Sequence, residues 1–119
     1  MNLLSLILIV LVAVEFFYIL YLETFATTSV NTAKVFSLKR NEGSQPIVQT
    51  LFKNQGVYNG LIGVGLLYSV TFAHAQLEIA RLLLIGIILV AAYGSLTSDK
   101  KIILTQGGLA ILALITTFF

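Results

Sequence analysis

The sequence has no cysteine, no tryptophan, a single histidine (His74) and a single proline (Pro46). Without cysteine there are no disulfides and no thiolate metal ligands, and one histidine cannot build a cluster of imidazole ligands. Charge is equally sparse. The 119 residues include 7 Lys+Arg and 5 Asp+Glu, or 10%, where a soluble domain carries about a quarter. Hydrophobic residues make up 58%. A chain this short keeps much of its surface in contact with its surroundings. A soluble monomer could not hide that apolar content, and disorder is excluded for the same reason. The formal charge of +2 does not point to nucleic acid, because the basic residues are few and scattered rather than gathered in a stripe. The expected partner is the lipid bilayer, with no cofactor and no metal.

Four apolar stretches are present, at about residues 3–22, 56–73, 77–96 and 102–119. Each is close to the ~20 residues that cross a hydrocarbon core as helix. The expected fold is all-α, a four-transmembrane-helix bundle forming one integral membrane domain over residues 1–119. The first stretch lacks the basic n-region and the small-residue cleavage site of a signal peptide, so it is expected to be retained. No internal repeat is visible, which leaves inverted-repeat transporter architecture without support. The loops set the orientation. Residues 24–55 carry Lys34, Lys39, Arg40 and Lys53, and residues 97–101 carry Lys100 and Lys101, against Arg81 alone on the other side. The positive-inside rule places these two loops in the cytoplasm and both termini outside, as a multi-pass protein of the plasma membrane.

The first loop is the long one. Thr28 and Ser29 are placed to cap a short interfacial helix running through Phe36, with Val30, Ala33 and Phe36 on one face. Residues 40–44 read as a turn, and Pro46 suits the first position of the next helix. That helix therefore starts well before its apolar stretch, and Ile47, Val48, Leu51 and Phe52 supply a packing face.

Polar residues inside the stretches carry the functional question, because such groups are costly in hydrocarbon and usually face the bundle interior. Glu15 lies ~10 Å inside its span at 1.5 Å per residue, with Tyr18 and Leu22 on its face. Glu23 at the span's edge reads as a solvated helix end. The second stretch opens with Asn54-Gln55-Gly56-Val57-Tyr58-Asn59-Gly60. Gly56 and Gly60 form a small-residue pair for internal helix packing, and Gln55, Asn59 and Gly63 share a face. Tyr93 and Gln106 come at a similar depth from the third and fourth stretches. The candidate binding residues are Glu15, Tyr18, Glu23, Asn54, Gln55, Tyr58, Asn59, Tyr93 and Gln106, converging on one layer of the cytoplasmic half. His74 is expected to be exposed, and Glu78 and Arg81 to form a surface pair.

Two readings of that layer stand side by side. In one it is a pocket that binds or transports a small ligand or ion. In the other it is a structural polar core, in a chain that acts as a structural or accessory membrane subunit or as a homo-oligomer. A proton-coupled small multidrug exporter is a further alternative, disfavoured by the long first loop and the lack of tryptophan. Catalysis is also disfavoured, because no nucleophile, metal set or triad accompanies Glu15.

The run Glu15-x-x-Tyr18-Ile19-Leu20-Tyr21-Leu22-Glu23, then Lys34-Val35-Phe36, then Asn54-Gln55-Gly56-x-Tyr58-Asn59-Gly60 resembles a family of small membrane proteins defined as domain of unknown function number 1304. Ala92-Tyr93-Gly94 and Gln106-Gly107 fit the same pattern, so the resemblance covers nearly the whole chain. It implies a four-helix integral membrane protein with no established activity. Members of that family often carry Glu-His where this chain has Glu15-Phe16, and often a proline where it has Gly108. A proton-relay or metal role for the former pair therefore does not carry over.

Overall fold

The computed structural model describes residues 1–39 and 41–119. Arg40, counted above among the basic loop residues and at the start of the expected turn, lies outside the described residues. All regular structure in the described residues is helical. Helix α1 (Leu3–Leu20) runs directly into a π-helical turn, Tyr21–Phe25. Then follow α2 (Val30–Val35), α3 (Pro46–Thr71), α4 (Gln76–Thr97), α5 (Ile102–Thr105) and α6 (Gly108–Thr116). The all-α expectation therefore holds.

Among the described residues, two helices are long and apolar enough to cross a bilayer, Leu3–Phe25 and Gln76–Thr97. They cover the first and third expected spans. The second expected span, 56–73, falls on α3 except for its last two residues. This helix is 26 residues long, but Gln49, Lys53, Asn54, Gln55 and Asn59 dilute its first half. The fourth departs further from expectation: residues 102–119 do not form one continuous helix. The chain loosens at Gln106 (φ −101°, ψ −33°) and Gly107 (φ −99°, ψ −17°). A Cβ at Gly107 would lie 2.7 Å from the Ile103 carbonyl oxygen and 3.1 Å from Ala91 Cβ. The glycine therefore permits a close approach to α4, and consecutive glycines are a common cause of such kinks.

The chain divides into two compact units, Met1–Val14 with Val64–Phe119, and Glu15–Gly63. In the first unit, α4 buries Ala80, Leu84, Ile87 and Ala91, a stripe at helical spacing. α6 buries Ala110 and Ala113, and these small side chains let it pack closely on α4. Asn2 caps α1: its Oδ1 accepts from the Ser5 backbone N–H at 2.7 Å, satisfying one of the free donors at the helix start. The same side chain donates to the Thr116 carbonyl at 3.0 Å, and Ser5 Oγ donates to Thr116 Oγ1 at 2.9 Å. Arg81 does not engage Glu78 as a surface pair. It donates to Thr117 Oγ1 at 3.1 Å and to the Thr117 carbonyl at 2.6 Å, with its guanidinium 4.2 Å from the centre of the Phe118 ring. The last carbonyls of a helix are unpaired and attract a cation, which favours this contact over an i, i+3 pair. His74 is exposed, as expected.

The second unit contains the end of α1, the π turn, α2 and the first half of α3. Ser29 caps α2 as expected, its Oγ accepting from Thr32 N–H at 3.1 Å. The helix closes with Ser37 in the left-handed region (φ 55°). Leu38 N–H donates to the Ala33 carbonyl and Ser37 N–H to that of Lys34, a Schellman closure. Pro46 opens α3 as expected. Phe52 packs edge-on against Phe36, ring centres 5.3 Å apart, whereas Ile47 and Leu51 are exposed. The extension's packing face is thus only partly used within the chain.

Candidate functional site

The densest polar arrangement in the second unit forms around the π turn. There Ala26 N–H reaches back to the Tyr21 carbonyl at 2.9 Å, closing a wider ring than an α-helix does. Widening displaces carbonyls from their usual donors. Threonines supply the replacements. Thr27 Oγ1 donates to the Glu23 carbonyl at 2.7 Å. The buried Thr32 lies within hydrogen-bonding reach of the carbonyls of Ala26 (2.6 Å) and Leu22 (3.2 Å). The first turn of α2 therefore seals the π turn from one side.

α3 lies antiparallel against the same segment. Thr24 Oγ1 donates to the Lys53 carbonyl at 3.0 Å. A Cβ on Gly56 would collide with Thr24 Oγ1 and lie 3.1 Å from both Glu23 Cβ and the Thr24 backbone nitrogen. One on Gly60 would come within 2.8 Å of Leu20 Cδ2. The pair expected to serve internal packing does so.

Glu23 sits within this frame and is 0% exposed. It is not the solvated helix end its position suggested, because the π turn and the α3 glycines enclose it. Asn59 Nδ2 donates to its Oε1 at 2.6 Å. Its Oε2 is buried and has no hydrogen-bond partner among the described residues. The other such atom is Oε1 of the half-buried Glu15, eight residues earlier on α1.

The other candidates are distributed as follows. The Tyr18 hydroxyl accepts from Asn31 Nδ2 at 3.0 Å, tying the end of α1 to α2. Asn54, Gln55 and Tyr58 are exposed. Tyr93, also exposed, and Gln106, half-buried at the kink, belong to the first unit. Within the second unit the structure joins Glu23 to Asn59. Sequence reasoning missed Thr24, Thr27 and Thr32. The visible signal was the hydroxyl-rich run Thr24-Phe25-Ala26-Thr27-Thr28-Ser29, directly after the apolar stretch. No group of three or more His, Cys, Asp or Glu able to hold a metal ion occurs among the described residues.

Chemically, the site offers a buried carboxylate with one oxygen fixed by an amide and the other free to accept. Leaving a buried charge uncompensated is costly. That cost is relieved either by protonation of the carboxyl or by a positive or donating group at Oε2.

Residues 10–118 match the model of a family described as "Protein of unknown function (DUF1304)". The chain belongs to this family. The matched region contains the whole Glu23–Asn59 frame. Among curated proteins, the uncharacterized protein YpaA of Lactococcus lactis subsp. lactis (strain IL1403) is 69% identical over 119 residues, covering 100% of both chains. No solved structure matches. Family membership thus agrees with the resemblance carried by the Asn-Gln-Gly-x-Tyr-Asn-Gly run.

Proposed function

We propose that this DUF1304 protein is a four-span integral membrane protein that binds a small ligand or ion at Glu23 and Asn59, in the cytoplasmic half of the bilayer. The spanning part of the reading is supported by outward apolar faces. Leu4, Ile7, Leu11 and Val14 on α1, Leu82, Ile85 and Leu89 on α4, Leu61 and Val64 on α3, and Leu112 and Ile115 on α6 are all exposed. Faces of this size suit lipid rather than water. In this reading Lys34, Lys39, Lys53, Lys100 and Lys101 lie on the cytoplasmic side, α2 rests at the interface, and both termini are outside.

The observation that carries the binding site is the unpartnered Oε2 of a fully buried carboxylate, enclosed by a π turn. Buried polar atoms are almost always paired, and π turns are frequent at functional sites. The test is a high-resolution density map of the full chain in a lipid nanodisc. Ordered non-protein density within about 3 Å of Oε2, a hydrogen-bonding distance, is the expected result. A map in which a protein side chain pairs Oε2 overturns the reading in favour of a structural core.

A further inference from the structure

Binding at Glu23 leaves the chemistry of the occupant open. We infer that Glu23 Oε2 receives a single alkali-metal cation. The inference rests on the binding-site reading above and specifies it.

Charge sets the sign. Glu23 is buried, its Oε1 is held by a neutral amide, and no described cationic side chain reaches its Oε2. Lys34, Lys39 and Lys53, in the same unit, are exposed. When ionised, a carboxylate buried here needs a compensating positive charge, which an anionic or neutral occupant does not supply, and a cation at Oε2 competes with the proton that would otherwise neutralise it.

Charge also sets the valence. Divalent cations gather several oxygen ligands, commonly more than one carboxylate. No group of three or more His, Cys, Asp or Glu able to hold a metal ion exists among the described residues. One carboxylate with one monovalent ion leaves the buried site neutral.

Space sets the size. Oε2 has almost no accessible surface. Gly56 places α3 so close that a single added carbon would lie 3.1 Å from Glu23 Cβ. A dehydrated alkali ion is far smaller than an organic ammonium ion, and an oxygen with almost no accessible surface favours the smaller of the two. Oxygen donors stand close by in sequence and fold. The Asn59 amide keeps its own carbonyl oxygen when its Nδ2 is turned to Glu23. The Glu23 carbonyl receives the Thr27 hydroxyl, and the Leu22 carbonyl competes with that of Ala26 for the single Thr32 hydrogen, so both keep acceptor capacity. Interrupted helices in membrane proteins commonly offer such carbonyls to monovalent ions.

The experiment is thermal unfolding of the purified full chain in detergent at fixed pH and ionic strength. The chloride salts are those of sodium, potassium and N-methyl-D-glucamine. The unfolding midpoint is expected to rise saturably with sodium or potassium but not with the bulky organic cation, as for any ligand that binds only the folded state. The two alkali arms decide which ion is preferred. In Glu23→Gln the rise is lost, while the elution volume on size exclusion stays that of the wild type. Should that variant fail to fold, radiolabelled sodium or potassium binding to the wild type decides, with one ion per chain expected. Equal midpoints in all three salts, no bound label, or an alkali-dependent rise retained in Glu23→Gln each overturn the cation assignment. Equal midpoints together with non-protein density at Oε2 would overturn the cation alone and leave the binding site standing.

Discussion

The molecule contains two polar clusters built on opposite principles. One lies near the chain ends, where Asn2, Ser5, Arg81, Thr116 and Thr117 pair with one another. The other lies in the Glu15–Gly63 unit, around Glu23. At the first, every donor that turns inward finds a helix-end carbonyl or a hydroxyl. At the second, a carboxylate oxygen is buried and left unpartnered. A satisfied network fixes a fold, whereas an unsatisfied buried group lowers stability for some other purpose. The terminal cluster is thus a paired structural network, and the unpaired Glu23 is where the proposed binding site lies.

The strongest way to break this comparison is to remove the frame around Glu23. Gly56→Ala is expected to destabilise by about 2–3 kcal/mol, the upper range for overpacking. The added carbon meets backbone as well as side chain, and backbone cannot rotate away. Gly86→Ala, also inside a helix but with nothing within 4 Å of the new carbon, is the matched control and should be neutral or stabilising, since alanine is the better helix former. Thermal unfolding in detergent reads both. Equal losses at the two positions would remove the close approach of α3 to the π turn.

Thr32→Val comes next, at about 2 kcal/mol, because it withdraws a buried hydroxyl from the carbonyls of Ala26 and Leu22. Hydrogen exchange should quicken at Ala26, whose bond to Tyr21 defines the turn. An unchanged rate there would separate Thr32 from the π geometry.

Arg81→Gln tests the terminal cluster, with an expected loss of about 1 kcal/mol. That value is below a fully buried charged hydrogen bond because Arg81 is half-exposed. Charge reversal at Glu78 should leave the midpoint unchanged, and a matching loss there would restore the surface pair.

The smallest effect is a gain. Ser37→Gly is expected to stabilise by about 0.5 kcal/mol, since Ser37 holds a positive φ that glycine adopts more easily. It sharpens the comparison by showing how large an ordinary backbone correction is in the unit that houses Glu23.

Much of the helical framework was legible in the sequence. Pro46 at the start of α3 and the Ser29 cap of α2 are local signals, read by nearest neighbours and realised as such. So is the glycine pair, because Gly56 and Gly60 share a helix face whatever they meet. The kink at Gln106-Gly107 was visible only as composition. Its cause is the approach of Gly107 to Ala91, sixteen residues away. Arg81 escaped for the same reason, because its partner lies at Thr117. The candidate site was half legible. Asn59 was singled out by its depth, and it is the residue that holds Glu23. Glu23 was undervalued because counting from the end of an apolar stretch assumes a regular helix that stops there. The π turn continues the helix past that point, and Thr32, nine residues on, closes over it.

The central claim is that the buried carboxylate of Glu23 is kept at a cost to the fold. The most direct measurement is the unfolding midpoint of Glu23→Gln against wild type, both free of alkali ions and with N-methyl-D-glucamine as the only bulk cation. Glutamine has the same shape, can still accept from Asn59 and carries no charge to bury. A midpoint equal to or higher than that of the wild type is expected. A midpoint several degrees lower under these conditions would mean that the carboxylate holds the fold together, and would contradict the account.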